Sequence, residues 1–177
     1  PQAPAATSKD AVHRLERVEG GVCGATAVGS RTLLSAAHCV HKDDKVVLVN
    51  GTAVGIQRME FDGADHVLIV VTVTFDHVAT VTGAPKQGDR VRWYGNPIGI
   101  PDVYGEGLIV GQFEGRTLID GNVWLGVSGS ALFNERGQIV GVVSSVLGSE
   151  IYKLGAAFPL RFTAKQWEVV RQGRDFT

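Results

Sequence analysis

Three short segments of this 177-residue chain carry residue types that can do chemistry together. Leu33-Leu34-Ser35-Ala36-Ala37-His38-Cys39 is an apolar run that ends at a histidine. Asp65-His66-Val67-Leu68-Ile69-Val70 opens an apolar run with an acid. Gly126-Val127-Ser128-Gly129-Ser130-Ala131-Leu132 holds a serine in a glycine turn ahead of a third run. A serine hydroxyl is a weak nucleophile until an imidazole takes its proton during attack. A carboxylate on the other ring nitrogen sets the tautomer that the imidazole needs. The tetrahedral intermediate then needs N–H donors aimed at its oxygen, each worth about 3–4 kcal/mol of barrier. The main chain at Gly126 and Ser128 is placed to supply them, and glycines at 126 and 129 suit a turn that a β-carbon resists. The expected roles are therefore Ser128 as nucleophile, His38 as base and Asp65 as the residue that orients the base.

Singly, each segment has a plainer explanation: a satisfied core histidine, a turn aspartate, a glycine loop. Their order along the chain, His, Asp, Ser, is what makes the joint reading stronger. Asp62 lies three residues before Asp65 and is the alternative acid, although the run Val67–Ile69 begins closer to Asp65. His66 and His77 have no partner motif and read as structural or exposed.

The elements that must position these residues are short. Strand-like runs appear at Val22–Val28, Thr32–Ala36, Lys45–Val49, Ala53–Phe61 and Val67–Thr74, separated by Gly29-Ser30, Asp43-Asp44, Asn50-Gly51 and Asp62-Gly63. A breaker-rich connection, Gly83–Asp89, precedes a second set at Arg90–Tyr94, Leu108–Phe113, Thr117–Asp120, Ala131–Phe133, Gln138–Val146 and Leu154–Phe158. Phe162, Trp167 and Val170 then have helical spacing, with Thr163 as N-cap. The reading is all-β: a flexible leader at 1–10, a barrel at 11–82 carrying His38 and Asp65, a linker at 83–89, a second barrel at 90–162 carrying Ser128, and a helix and tail at 163–177. A groove between two barrels is a natural place for a site built from both.

Composition agrees with a globular chain, at 44% hydrophobic and 20% charged residues with 23 glycines. The net charge of −1 is spread along the chain, so no basic footprint for nucleic acid is present. The apolar stretch Val67–Val73 is far shorter than the roughly 18 residues a membrane span needs. Cys23 and Cys39 are read by composition either as two free thiols or as a disulfide.

Ser35-Ala36-Ala37-His38-Cys39 resembles the histidine motif of trypsin-like (chymotrypsin-family) serine peptidases. Gly126–Leu132 resembles their Gly-Asp-Ser-Gly-Gly-Pro-Leu motif, and Asp65–Ile69 their Asp-Ile-Ala-Leu-Leu. Gly88-Asp89-Arg90-Val91 through Gly95-Asn96-Pro97-Ile98-Gly99, and Leu132–Gly141, are similar to bacterial HtrA-type and glutamyl-endopeptidase-type members. The resemblance implies two six-stranded antiparallel β-barrels with a short C-terminal helix, and a polypeptide substrate hydrolysed without cofactor or metal. It also implies a Cys23–Cys39 disulfide, because members often bridge the residue after the histidine to a cysteine sixteen positions earlier. That favours an extracellular or periplasmic setting. Zinc on Cys23, His38, Cys39 and His41 is the weaker use of the same residues.

Val127 stands where zymogen-activated members carry an aspartate, so activation by a buried N-terminal ammonium is not expected. By the same resemblance the substrate pocket is formed by Asn122, Val142, Val143, Ser144 and Ala156. Neither the base aspartate of trypsins nor the wall histidine of glutamyl-type members is present, which predicts cleavage after small or medium apolar residues. The resemblance leaves two other roles open: a virus-encoded polyprotein-processing protease, and a protease-fold binding module without activity.

Overall fold

The computed structural model describes residues 8–96, 100, 103–121, 123, 127–148 and 153–172, the last by its backbone alone. The chain is mostly strand. A 3-10 turn, Ser8–Ala11, leads into β1 (Val12–Arg17). There follow β2 (Val22–Gly29), β3 (Thr32–Ala36), β4 (Val46–Val49), β5 (Thr52–Phe61) and β6 (His66–Val71). These six close into an antiparallel barrel in the order β1-β2-β3-β6-β5-β4. β3 is buried along its whole length, which is why Thr32–Ala36 reads as an almost unbroken apolar run.

β1 has no counterpart in the sequence expectation, and its composition explains why. Only Leu15 of the six residues is fully buried. Arg14 pairs with Glu16 at 2.6 Å and Arg17 with Asp44 at 2.9 Å, so the strand shows charge where period-two alternation was sought.

The second half contains β7 (Arg90–Gly95), β8 (Val103–Phe113), β9 (Arg116–Gly121), β10 (Ala131–Phe133), β11 (Ile139–Val142), β12 (Ser145–Gly148) and β13 (Lys153–Ala157). Its sheet order is β11-β10-β7-β8-β9-β13-β12, a half-barrel of seven strands where a six-stranded barrel was expected. The difference comes from one interruption. The run Gln138–Val146, expected as one strand, breaks at Val143-Ser144 into β11, which pairs with β10, and β12, which pairs with β13. Val143 N–H donates to Ser130 O at 2.9 Å, and Ser144 N–H donates to Ala156 O at 2.8 Å. The two break residues thus bond to opposite sides, and the covalent chain joins the two ends of the sheet.

β8 begins five residues before the expected Leu108, because Gly105 and Gly107 resemble breakers in a sequence. In the structure Trp93 lies over them, only 1% exposed. A β-carbon on Gly105 would enter the indole, and one on Gly121 would come within 2.7 Å of it. An aromatic covering a cross-strand glycine, here Trp93 opposite Gly105, is a known way to stabilise such strands.

Helix α1 (Ala164–Gln172) starts on the expected cap. Thr163 Oγ accepts from Gln166 N–H at 3.1 Å, and Gln166 Oε1 accepts from Thr163 N–H at 3.0 Å, a reciprocal capping box. The helix packs back on the first barrel. Val169 is buried, its carbonyl accepts from the Thr32 hydroxyl at 3.2 Å, and Gly29 leaves room for the Val170 carbonyl.

Candidate active site

β3 runs into a 3-10 turn, Ala37–Cys39, which carries His38 at the rim of the first barrel. The Asp65 loop grips this turn at three points. Ala37 N–H donates to Asp65 O at 3.0 Å, His38 N–H donates to Oδ1 at 3.0 Å, and His38 Nδ1 meets Oδ2 at 2.8 Å. Nδ1 is thereby committed to the carboxylate, and Nε2 is the ring nitrogen left for proton transfer. Asp65 adopts φ 65°, a left-handed conformation that aspartate tolerates better than most residues. Its Oδ2 also accepts a short hydrogen bond from the Ser144 hydroxyl.

Burial pushes the Asp65 carboxyl up, but the bonds from His38 and Ser144 outweigh it and leave the group below its ordinary range. For His38 the hydrogen bond to Asp65 is the largest influence and raises its pKa, against burial, which lowers it.

Ser128 sits in a turn docked onto the other barrel's β2. Gly24 N–H donates to Ser128 O at 2.9 Å, and Gly129 N–H donates to Val143 O at 2.8 Å. Gly129 has φ 82°; a β-carbon there would lie 2.5 Å from Ser35 Oγ, closer still to Gly24 O, and 3.3 Å from Cys39 Sγ. Residue 129 therefore nests against the disulfide beside His38. The Ser128 hydroxyl points to Ser144 O at 3.4 Å, and in this conformation it makes no hydrogen bond to His38. Ser144 thus touches both Ser128 and Asp65, linking the serine of one half to the acid–imidazole pair of the other.

Cys23 and Cys39 form a disulfide across a separation of 16 residues. Their sulfurs and His38 lie within 4.8 Å of one another, the geometry that makes a metal reading conceivable, but sulfurs bonded to each other offer no thiolate. The bridge joins the His38 turn to β2, one residue from the Gly24 contact with Ser128. In the chain-entropy model a loop of this length contributes about 3 kcal/mol. Reduction is expected to lower the thermal midpoint by roughly 5 °C or more and to reduce activity even where the fold persists. Calorimetry with and without a thiol reductant, alongside ester hydrolysis, checks both effects.

The other expected site residues fall in several places. Asp62 does not reach His38; it bonds the buried His66 at 2.7 Å, while His77 is exposed. Val142 and Val143 are buried in the two hydrophobic clusters, and Ala156 is also fully buried. Asn122 and Gly126 lie outside the described residues. Ser144, expected as pocket lining, also holds Asp65 through its hydroxyl and Ser128 through its carbonyl. Gly24 was not anticipated at all. Its only sequence signal is its place beside Cys23.

A family model, the trypsin-like peptidase domain, matches residues 21–142, the span that contains His38, Asp65 and Ser128. No curated protein matches significantly. Among solved structures, the active form of the Rv3671c protease from M. tuberculosis is similar at TM-score 0.74 and 16% identity, over 92% of this chain and 82% of that one. The inactive form of the same protease gives TM-score 0.73 at 16% identity, over 92% and 90%. The serine endoprotease from Yersinia pestis gives TM-score 0.72 at 20% identity, over 99% of this chain and 69% of that one. At these identities the likeness is one of fold, and it is the chymotrypsin-like fold. With more than half its length matched by the family model, the chain belongs to the trypsin-like peptidases.

Proposed function

We propose that the protein is a serine endopeptidase that cleaves peptide bonds through an acyl-enzyme on Ser128. The observation that carries this is the linked set His38–Asp65–Ser144–Ser128, drawn from four distant stretches and both halves of the fold. Asp65 holds the imidazole with Nδ1–H inward. In this reading Ser128 rotates about Cα–Cβ to bring its hydroxyl from Ser144 O to Nε2, since active-site hydrogen bonds commonly tighten only with substrate in place. His38 then takes the serine proton, returns it to the leaving amine, and activates water for deacylation. The N–H groups of Gly126 and Ser128 receive the oxyanion.

The substrate is read as an extended polypeptide laid along β12, the terminal strand of the sheet order among the described residues. Asn122, Val142, Val143, Ser144 and Ala156 surround the P1 position in this reading. The segments 142–147 and 154–157 contribute no ionisable side chain, and a β-carbon on Gly155 would lie 2.7 Å from Val123. Both features support small or medium apolar P1 residues. The disulfide favours an extracellular or periplasmic location, and among the described residues no helix is long and apolar enough to cross a membrane.

A fluorophosphonate probe is expected to label Ser128 alone, located by peptide mapping, and the label is expected to vanish in Ser128→Ala. Labelling elsewhere, or none, overturns the assignment. A peptide library dominated by Lys, Arg or Glu at P1 overturns the specificity. The pH profile follows from the raised pKa of His38. The base is active only when deprotonated, so kcat/KM rises with pH along a limb centred above the ordinary histidine value of about 6.5. A limb centred below that value contradicts the Asp65–His38 geometry.

A further inference from the structure

The site leaves one buried acid–imidazole pair unused. Asp62 and His66 flank the Asp65 turn, their side chains are fully buried, and His66 Nδ1 meets Asp62 Oδ2 at 2.7 Å. Asp62 serves four donors. Oδ1 accepts from Ala64 N–H at 2.8 Å and His66 N–H at 3.2 Å; Oδ2 accepts from the imidazole and from Arg161 N–H at 2.8 Å. One of these donors lies in the loop, two belong to His66 at the start of β6, and one belongs to the segment leading into α1.

We propose that the Asp62–His66 pair is a positioning device, which sets the angle at which Asp65 meets His38 and ties that angle to the C-terminal segment. The proposal rests on Asp65 being the orienting acid. Within five residues the loop holds two left-handed positions, Gly63 at φ 78° and Asp65 at φ 65°. Glycine adopts this conformation freely, but Asp65 holds it only where the surroundings over-determine it. Asp62 does this from inside the turn. His66 pairs with Ala36 in the β3–β6 register, directly beside the turn that carries His38. Tilting His66 therefore moves Asp65 and loosens its three bonds to Ala37 and His38 together.

From the outside, Phe162 packs near the His66 ring at 6.3 Å, and Gln166 Nε2–H donates to Phe61 O at 2.8 Å. The C-terminal segment thus closes over the brace. His66 Nε2 has no partner among the described residues, so the ring works through one nitrogen only. Apolar side chains of equal volume would fill this space but would leave the Ala64, His66 and Arg161 N–H groups without their acceptor. They could not hold four N–H groups at fixed angles.

The test compares Asp62→Ala, His66→Leu, Asp62→Asn and His66→Asn with wild type. Turnover is measured per fluorophosphonate-titrated Ser128, and the His38 imidazole is titrated by NMR, which needs no turnover. Asp62→Ala and His66→Leu are expected to lose roughly tenfold to a hundredfold in kcat with KM little changed. The acidic limb and the NMR midpoint of His38 are expected to move down together. His66→Asn puts an amide N–H where Nδ1 was and is expected to keep the wild-type midpoint. Asp62→Asn leaves one oxygen for four donors and is expected to fall between. These two carry the test if the larger truncations do not fold.

A smaller folded fraction with kcat per site, limb and midpoint all unchanged overturns the proposal. An inert wild type whose His38 midpoint still shifts in the variants refutes the peptidase reading and leaves the brace standing.

Discussion

Asp65→Asn is expected to lower kcat by about four orders of magnitude while the protein stays folded. The amide keeps the volume of the carboxylate, so the loop has no cavity to collapse into. It fails chemically. Facing His38 Nδ1 with an N–H donor forces the imidazole to carry its proton on Nε2, where it cannot accept from Ser128. Facing it with the amide oxygen keeps the tautomer but removes the negative charge that stabilises the imidazolium during attack. The Ser144 hydroxyl and the His38 N–H both need an acceptor, so one of these three bonds is lost either way. Steady-state kinetics on an activated ester, with circular dichroism as the folding control, decides the matter. Loss of less than about tenfold would show that Asp65 has no such role.

Gly129→Ala is expected to be strongly destabilising. The residue is left-handed at φ 82°, and its β-carbon would overlap the Gly24 carbonyl, a backbone atom that cannot rotate aside. Relief requires the Ser128 turn to lift from β2, which breaks the Gly24 N–H to Ser128 O bond at 2.9 Å. Destabilisation of about 2–4 kcal/mol is expected from strain and overpacking, read as a lower denaturant midpoint. Gly63→Ala, also left-handed but with open space around it, serves as the comparison and is expected to cost only its backbone strain. Equal losses for the two variants would show that the close approach at residue 129 carries no weight.

The three chemical segments were legible because each couples an unusual residue to a strand boundary, and strand boundaries follow from apolar runs and turn residues. Asp65 was separable from Asp62 only weakly, since both precede the same strand. What distinguishes them is a left-handed backbone and a buried partner, and neither leaves a trace in a linear pattern. The link from Ser144 to Asp65 was not legible for a related reason. It depends on the break in the run 139–148, and that break is made by hydrogen bonds to Ser130 and Ala156, residues far off in sequence. β1 and the first half of β8 were missed because charges on one and glycines on the other hide the alternation. In β8 the missing side chains are replaced by an indole from the neighbouring strand, so the signal sits at Trp93 rather than in β8.

The return of α1 to the first barrel has a consequence for timing. The three proposed reacting residues all precede position 129, whereas the segment that packs over their scaffold begins at Arg161 and is synthesised after them. Until it arrives, the Asp62 carboxylate lacks one of its four donors, the Thr32 hydroxyl lacks its acceptor, and the space around Phe162 stands open to water. A growing chain therefore carries the proposed site residues for some thirty positions before the contacts that brace their scaffold can form.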